Sequence, residues 1–180
     1  MKITDVKTYV TMLVNRRAWL FVEVETDEGV TGLGECTGYL SNPHLLGGIE
    51  AVKHLVIGED PANIEEIWQK IFHLHSDLNP RGYVSHLISA IDIALWDIKA
   101  KAVGIPVYKL LGGPVRDKVV CYPHTQGRTI DELVANSVAA VEAGWKFVRW
   151  GQPETGGQFE AGGISTLEPV ESMRIAIEQM

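Results

Sequence analysis

The chain has 180 residues, 46% of them hydrophobic and 22% charged, and a formal net charge of −7. That composition suits a globular protein with one good core and part of a second. The acidic balance argues against a nucleic-acid backbone or an anionic membrane as partner, since both reward a basic surface.

No run approaches the roughly twenty apolar residues of a membrane span, and "MKITDVKTYV" lacks the apolar centre of a signal peptide. Cys36 and Cys121 lie far apart with no C-x-x-C spacing. The expectation is a cytoplasmic protein whose two cysteines are buried free thiols.

In chain order, "KITDVKTYVTML" alternates around Ile3, Val6 and Tyr9 and predicts a strand. In "AWLFVEVETDEGVTGLGECTG", Leu20, Val22 and Val24 alternate with Phe21, Glu23 and Glu25. Asp27-Glu28-Gly29 then supplies a tight turn, which predicts a β-hairpin. "GLGECTG" is not a dinucleotide-binding loop, because Thr37 fills the third glycine slot and no helix follows directly. "HLLGGIEAVKHLVIG" and "NIEEIWQKIFHLH" predict helices, separated by Asp60-Pro61, with Asn63 as an N-cap. His73 and His75 stand two apart on such a helix and face different ways, which makes a poor metal pair.

"SAIDIALWDIKAKAVGIPVYKLLGG" predicts a long helix. Val84, Leu87, Ile88, Ile91, Leu95, Ile98 and Ala102 fall on one stripe, while Ile93 and Trp96 point away from it. A helix apolar on two sides is expected to separate two packing layers. Asp97 and Lys101 are spaced to pair, and Asp92 and Lys99 border the core stripe as structural charges. Gly104 and Pro106 end the helix.

After Gly113, "DKVVCYPHTQG" predicts a short buried strand. Thr129 and Glu132 form a capping box opening a helix with Ile130, Leu133, Val134, Val138 and Val141 on its stripe, closed by Gly144. "WKFVRWG" predicts a second strand, and "TLEPVESMRIAIEQM" opens a further helix in which the chain stops. Strand, helix, strand, helix implies parallel βα units, and two parallel strands are not a stable sheet by themselves.

The stretch 89–113 resembles the signature of the mandelate racemase/muconate lactonizing group of the enolase superfamily. Ala90, Asp92, Ala94, Trp96, Asp97, Lys99, Pro106, Leu110, Gly112 and Gly113 all fall into its pattern. "ETDEGVTGLGE" is similar to the hairpin of that family's capping domain, and "GGPVRDKVVCYPHTQG" to the entry into its barrel. Within the family the galactonate- and mannonate-type sugar-acid dehydratases look nearest, on Arg116-Asp117-Lys118, "YPHTQG" and "FVRWG".

The resemblance implies an α+β capping domain, an antiparallel meander plus helices, over residues 1–112. It implies that residues 113–180 begin a TIM-type (β/α) barrel, of which only the first two βα units are present. A whole barrel needs roughly 250 residues. The expectation is therefore a truncated chain, inactive by itself. The resemblance also implies Mg²⁺, with carboxylate ligands on the third, fourth and fifth barrel strands, so no metal ligand is expected here. The implied reaction removes the proton α to a carboxylate and then expels a β-hydroxyl as water. The implied partner is a small-molecule sugar acid, in a homo-oligomer.

Arg149 is the catalytic candidate. The racemase branch uses a Lys-x-Lys pair on the second strand, where this chain has Arg149-Trp150-Gly151. Mannonate-type dehydratases use an arginine there, but their partner tyrosine is not evident in "GQPETGGQFEAGG". His124 matches a substrate-contacting histidine of those enzymes. Arg17 and Trp19 in "NRRAW", and Tyr39 and His44 in "TGYLSNPH", are substrate-binding candidates on loops that would cover the barrel mouth. The alternatives are a racemase or cycloisomerase of the same superfamily, and a non-catalytic module that works by association.

Overall fold

Three strands make the first layer among the described residues, β1 (Ile3–Met12), β2 (Ala18–Thr26) and β3 (Thr31–Glu35), and burial alternates with period two along β2 and β3. The structure is a computed structural model that describes residues 1–12, 18–37, 42–74, 82–150 and 177–178. The sheet is an antiparallel meander in the order β1-β2-β3. Leu20, Val22 and Val24 are fully buried on one face of β2. Tyr9, expected to follow Val6 inward, lies on the opposite face, opposite Phe21, and donates its hydroxyl hydrogen to Glu23 at 2.7 Å. Tyr9 stands three residues after Val6 in a regularly paired stretch, an odd offset that puts it on the other face, whereas the register shift between Ile3 and Asp5 lets Ile3 and Val6 share the buried one. The hairpin turns at Gly29, whose φ of +76° suits glycine, and Thr26 Oγ1 closes it by donating to the Val30 carbonyl at 2.7 Å.

Among the described residues four helices follow in this part of the chain: α1 (Asn42–Val52), α2 (Ile64–Leu74), α3 (Tyr83–Val103) and the single turn α4 (Val107–Leu110). A 3₁₀ turn, Lys53–Leu55, extends α1. Asp60 shapes the entry to α2, its carboxylate accepting from the Ala62 N–H at 2.9 Å. Asn63 occupies the position before α2, with its carbonyl accepting from the Ile67 N–H; its side chain reaches Glu66.

The long helix α3 does separate two layers, though not with the residues expected for its second face. Ile88, Ile91, Leu95 and Ile98 join Ile64, Ile67 and Ile71 of α2 in the core. On the sheet side the contact is made by Ala90 and Ala94. A Cβ added at Gly34 or Gly32 would overlap the carbonyl oxygen of Ala90 or Ala94, so strand and helix backbones touch directly. Small residues on both elements permit that approach. Ile93 is instead exposed, and Trp96 lies half-buried against the core with Lys99 Nζ 5.4 Å from its ring centroid. Ala102 is exposed, because the stripe passes the last strand before it reaches that turn. Gly104 caps α3 in the left-handed conformation, φ +71°.

The chain divides into two units, Met1–Val115 and Arg116–Met180. In the second, β4 (His124–Thr125) and β5 (Arg149–Trp150) pair in parallel and are linked by α5 (Ile130–Glu142). Thr129 caps α5, accepting from the Glu132 N–H at 3.2 Å. The returning Glu132 carboxylate binds the N–H of Arg128, one residue ahead of the cap, at 2.8 Å.

The expected burial of the first strand does not hold over its lead-in: Val119 and Val120 are exposed, and so is Cys121. A parallel strand is buried only when helices cover both faces and strands flank both edges. Among the described residues β4 has one neighbouring strand and one helix. Cys36, by contrast, lies in the core of the first unit.

Candidate functional site

The parallel register of the second unit sets His124 directly beside Arg149 and Thr125 beside Trp150. Alternation along a strand places Thr125 on the face opposite His124. That face is the one α5 covers. The Thr125 hydroxyl is buried and lies 3.1 Å from Ser137 Oγ, which donates to the Leu133 carbonyl at 2.8 Å. Thr125 Oγ1 also reaches the Arg149 carbonyl at 3.5 Å, so one buried hydroxyl ties together helix and both strands.

The loop after β4 is held equally closely. Asn136 Nδ2 donates to the Gln126 carbonyl at 2.6 Å. Gly127 runs so close to the first turn of α5 that an added Cβ would meet the Leu133 backbone. His124 and Arg149 therefore stand on a backbone fixed from below, with their side chains on the exposed face. This is the geometry a binding site on strand ends requires.

Tyr122 joins them. It lies two residues before His124 and so shares its face. The two rings are parallel, with an interplanar angle of 7° and centroids 5.7 Å apart. Arg149 Nη1 points at the Tyr122 hydroxyl at 3.5 Å, and the Arg149 N–H is anchored to the Pro123 carbonyl at 3.0 Å. Phenol, imidazole and guanidinium thus form one exposed polar surface. A guanidinium held this way keeps other donors for a carboxylate, which it can bind through two parallel N–H groups.

The first unit holds the remaining described candidates. Trp19 lies at the start of β2, 45% exposed, with its ring edge-on to Phe21 at 6.0 Å. His44 is exposed in the first turn of α1, and its carbonyl accepts a hydrogen bond from the Tyr83 hydroxyl at 2.6 Å. Tyr83 also passes close over Gly48, where a Cβ would collide with its oxygen. Burial, and to a lesser extent the neighbouring Cys36, raises the pKa of the Tyr83 phenol, so it stays a donor at neutral pH. Arg17 and Tyr39 lie outside the described residues.

Sequence reasoning missed Tyr122, Tyr83 and the Thr125–Ser137 pair. The i, i+2 spacing of Tyr122 and His124 was a readable signal. The others depend on contacts between elements distant in the chain. Among the described residues no three carboxylate, histidine or thiol side chains gather as a metal site. The described part of this chain does not fit a divalent cation by itself. No described helix is long and apolar enough to cross a membrane.

Comparison with known proteins adds the family. The profile of the mandelate racemase/muconate lactonizing enzyme N-terminal domain matches residues 4–112. A D-mannonate dehydratase from Rhizorhabdus wittichii is 39% identical over 153 residues, which is 83% of this chain and 37% of that enzyme. A D-galactonate dehydratase from Pectobacterium atrosepticum is 39% identical over 145 residues, 81% of this chain and 37% of that enzyme. An enolase-type structure from Pantoea ananatis, with D-gluconate and Mg bound, superposes with a TM-score of 0.71 at 38% identity, over 83% of this chain and 36% of that one. The chain spans about two fifths of the length of the curated relatives it matches.

Proposed function

Because this chain belongs to the mandelate racemase/muconate lactonizing enzyme family of the enolase superfamily, we propose that it is the N-terminal part of a sugar-acid dehydratase, with His124 and Arg149 at the substrate. On this reading residues 1–112 are the capping domain and residues 113–180 open a (β/α) barrel, the two described strands being its first two. The relatives' names, D-mannonate and D-galactonate dehydratase, support an acid sugar as substrate.

The observation that carries the reading is the in-register pairing of His124 with Arg149 on the exposed face of β4 and β5. In such a reaction the α-carbon loses its proton to a general base and the carboxylate gains charge. The electron pair then expels the β-hydroxyl, which leaves with a proton as water, and the enol product tautomerises to a 2-keto-3-deoxy acid. A fixed guanidinium favours the charge that develops, and costs no reorganisation when it does so. An imidazole beside it can exchange a hydrogen bond with a substrate hydroxyl. Trp19 and His44, with Arg17 and Tyr39, are proposed as further substrate contacts. The family's Mg²⁺ belongs to this reading as the cofactor, and its carboxylate ligands are assigned to the third, fourth and fifth barrel strands, outside this chain. A homo-oligomer in the cytoplasm is part of the same proposal.

The test is a screen of acid sugars, D-mannonate, D-galactonate and D-gluconate included, against the product of the complete gene. The expected result is 2-keto-3-deoxy acid from at least one of them. Arg149→Ala is expected to lower kcat/KM by about a hundredfold or more with the melting temperature nearly unchanged. Full turnover in that variant removes Arg149 from the site, and racemisation without water loss replaces the dehydratase by the racemase reading.

A further inference from the structure

We propose that Tyr122 is a positioning residue that sets the Arg149 guanidinium and the His124 imidazole relative to one another. The proposal rests on the reading of those two residues as substrate contacts, but its first test does not.

Three observations carry it. Tyr122 is the one described side chain that touches both groups: its ring lies parallel to His124 and its hydroxyl faces Arg149 Nη1. The backbone beneath all three is fixed, by the Arg149 N–H on the Pro123 carbonyl and by the Thr125–Ser137 pair on the other face. Only side-chain rotation therefore remains to be restrained. Finally, the contact joins a phenol, an imidazole and a guanidinium, none of which belongs to the buried apolar core of the described residues.

The physical consequence is division of labour. A free arginine side chain samples many rotamers, and a ligand must overcome the entropy of fixing them on binding. A phenol oxygen that accepts one N–H removes part of that freedom and leaves the rest of the fork for a carboxylate. The offset ring contact holds the imidazole plane parallel to the phenol. Phenylalanine at this position would keep the second effect and lose the first; leucine would lose both.

The first experiment uses the complete gene product, labelled with ¹³C-histidine. In its ¹H–¹³C NMR spectrum the His124 ring protons are expected to carry an upfield ring-current shift. That shift should persist in Tyr122→Phe and vanish in Tyr122→Leu, with His124→Gln giving the assignment. Its absence from the unmodified chain overturns the proposal. The second experiment is a double-mutant cycle on the complete gene product. Tyr122→Phe is expected to raise KM about tenfold, whereas in an Arg149→Lys background the same change adds less than about twofold. Additive effects mean that Tyr122 does not act through Arg149 and overturn the positioning role. A ring-current shift that behaves as expected, joined to turnover that ignores Arg149→Ala, leaves the geometry standing and sinks the functional reading instead.

Discussion

Asp97 Oδ2 accepts the backbone N–H of Leu33 at 3.0 Å, which joins the middle of the long helix to the outer strand of the sheet. Lys101 binds the same oxygen at 2.7 Å and reaches the Thr31 carbonyl, also at 2.7 Å. One turn of α3 thus supplies an acceptor and a donor to β3, whose outer edge would otherwise offer unpaired backbone groups. Asp97→Ala removes both bonds and is expected to lower the stability of the first unit by about 1–2 kcal/mol. Urea unfolding followed through the tryptophans measures it. Lys101→Ala, which leaves the Leu33 bond intact, should cost clearly less.

Gly34 and Gly47 should respond to alanine with opposite signs. Gly34 faces the Ala90 carbonyl, where an added methyl has no space and meets backbone rather than a movable side chain. Gly34→Ala must push α3 off the sheet and should cost about 3 kcal/mol or more, in the range of severe overpacking. Gly47 is exposed within α1 with nothing near its Cβ position. Gly47→Ala should gain up to about 1 kcal/mol from helix propensity. Thermal unfolding of the two variants separates them, and equal shifts would mean that the close approach of β3 to α3 is not what holds them in register.

Gly32 and Gly34 also mark where the sequence stopped being legible. The alternation of Leu20, Val22 and Val24, the turn at Gly29 and the stripe of Ile88, Ile91, Leu95 and Ile98 each express a local period, and each was readable without a partner. The contact of Gly32 and Gly34 with Ala94 and Ala90 joins positions about sixty residues apart, so no local pattern announces it. The same holds for Thr125 with Ser137 and for Tyr83 with His44. Val119 and Val120 were misread for a different reason. β-branched composition signals a strand but not its burial, which depends on neighbours. At the candidate site, His124 and Arg149 were found through family resemblance; their pairing, and the role of Tyr122 between them, came from register.

The two thiols should behave differently although both are free. Cys121 is exposed, whereas Cys36 is in the core and burial pushes its pKa up to about 11. At pH 8 a thiol reagent such as DTNB is expected to modify Cys121 promptly and Cys36 only after unfolding. The raised value also has a sign for stability. The folded state favours the protonated thiol, so its contribution is complete below the ordinary thiol pKa of 9.0 and is lost as pH rises through about 11. Between those values the chain should lose stability more steeply than Cys36→Ala does. Rapid labelling of two thiols in the folded chain would contradict the burial of Cys36.

Asp92 offers the clearest electrostatic test. It lies half-buried in the crevice between α2 and α3, beside Ile64, Ile67, Trp68, Ile88, Ile91 and Leu95. Burial raises its pKa, and the nearby Glu65 carboxylate raises it further. The folded state therefore prefers the neutral acid. Its contribution is complete below the ordinary carboxyl value of 3.8 and is lost as pH rises through the higher folded value. Asp92→Asn keeps the shape and removes the charge, so it should be more stable than the parent at pH 7. The advantage should shrink as pH falls toward the ordinary carboxyl value of 3.8, because the folded parent aspartate takes up its proton above that value. Urea midpoints at the two pH values decide the matter. An asparagine variant that is weaker at pH 7 would show that the Asp92 charge is held by a partner outside the described residues, and that this signature aspartate stabilises the helix pair instead of straining it.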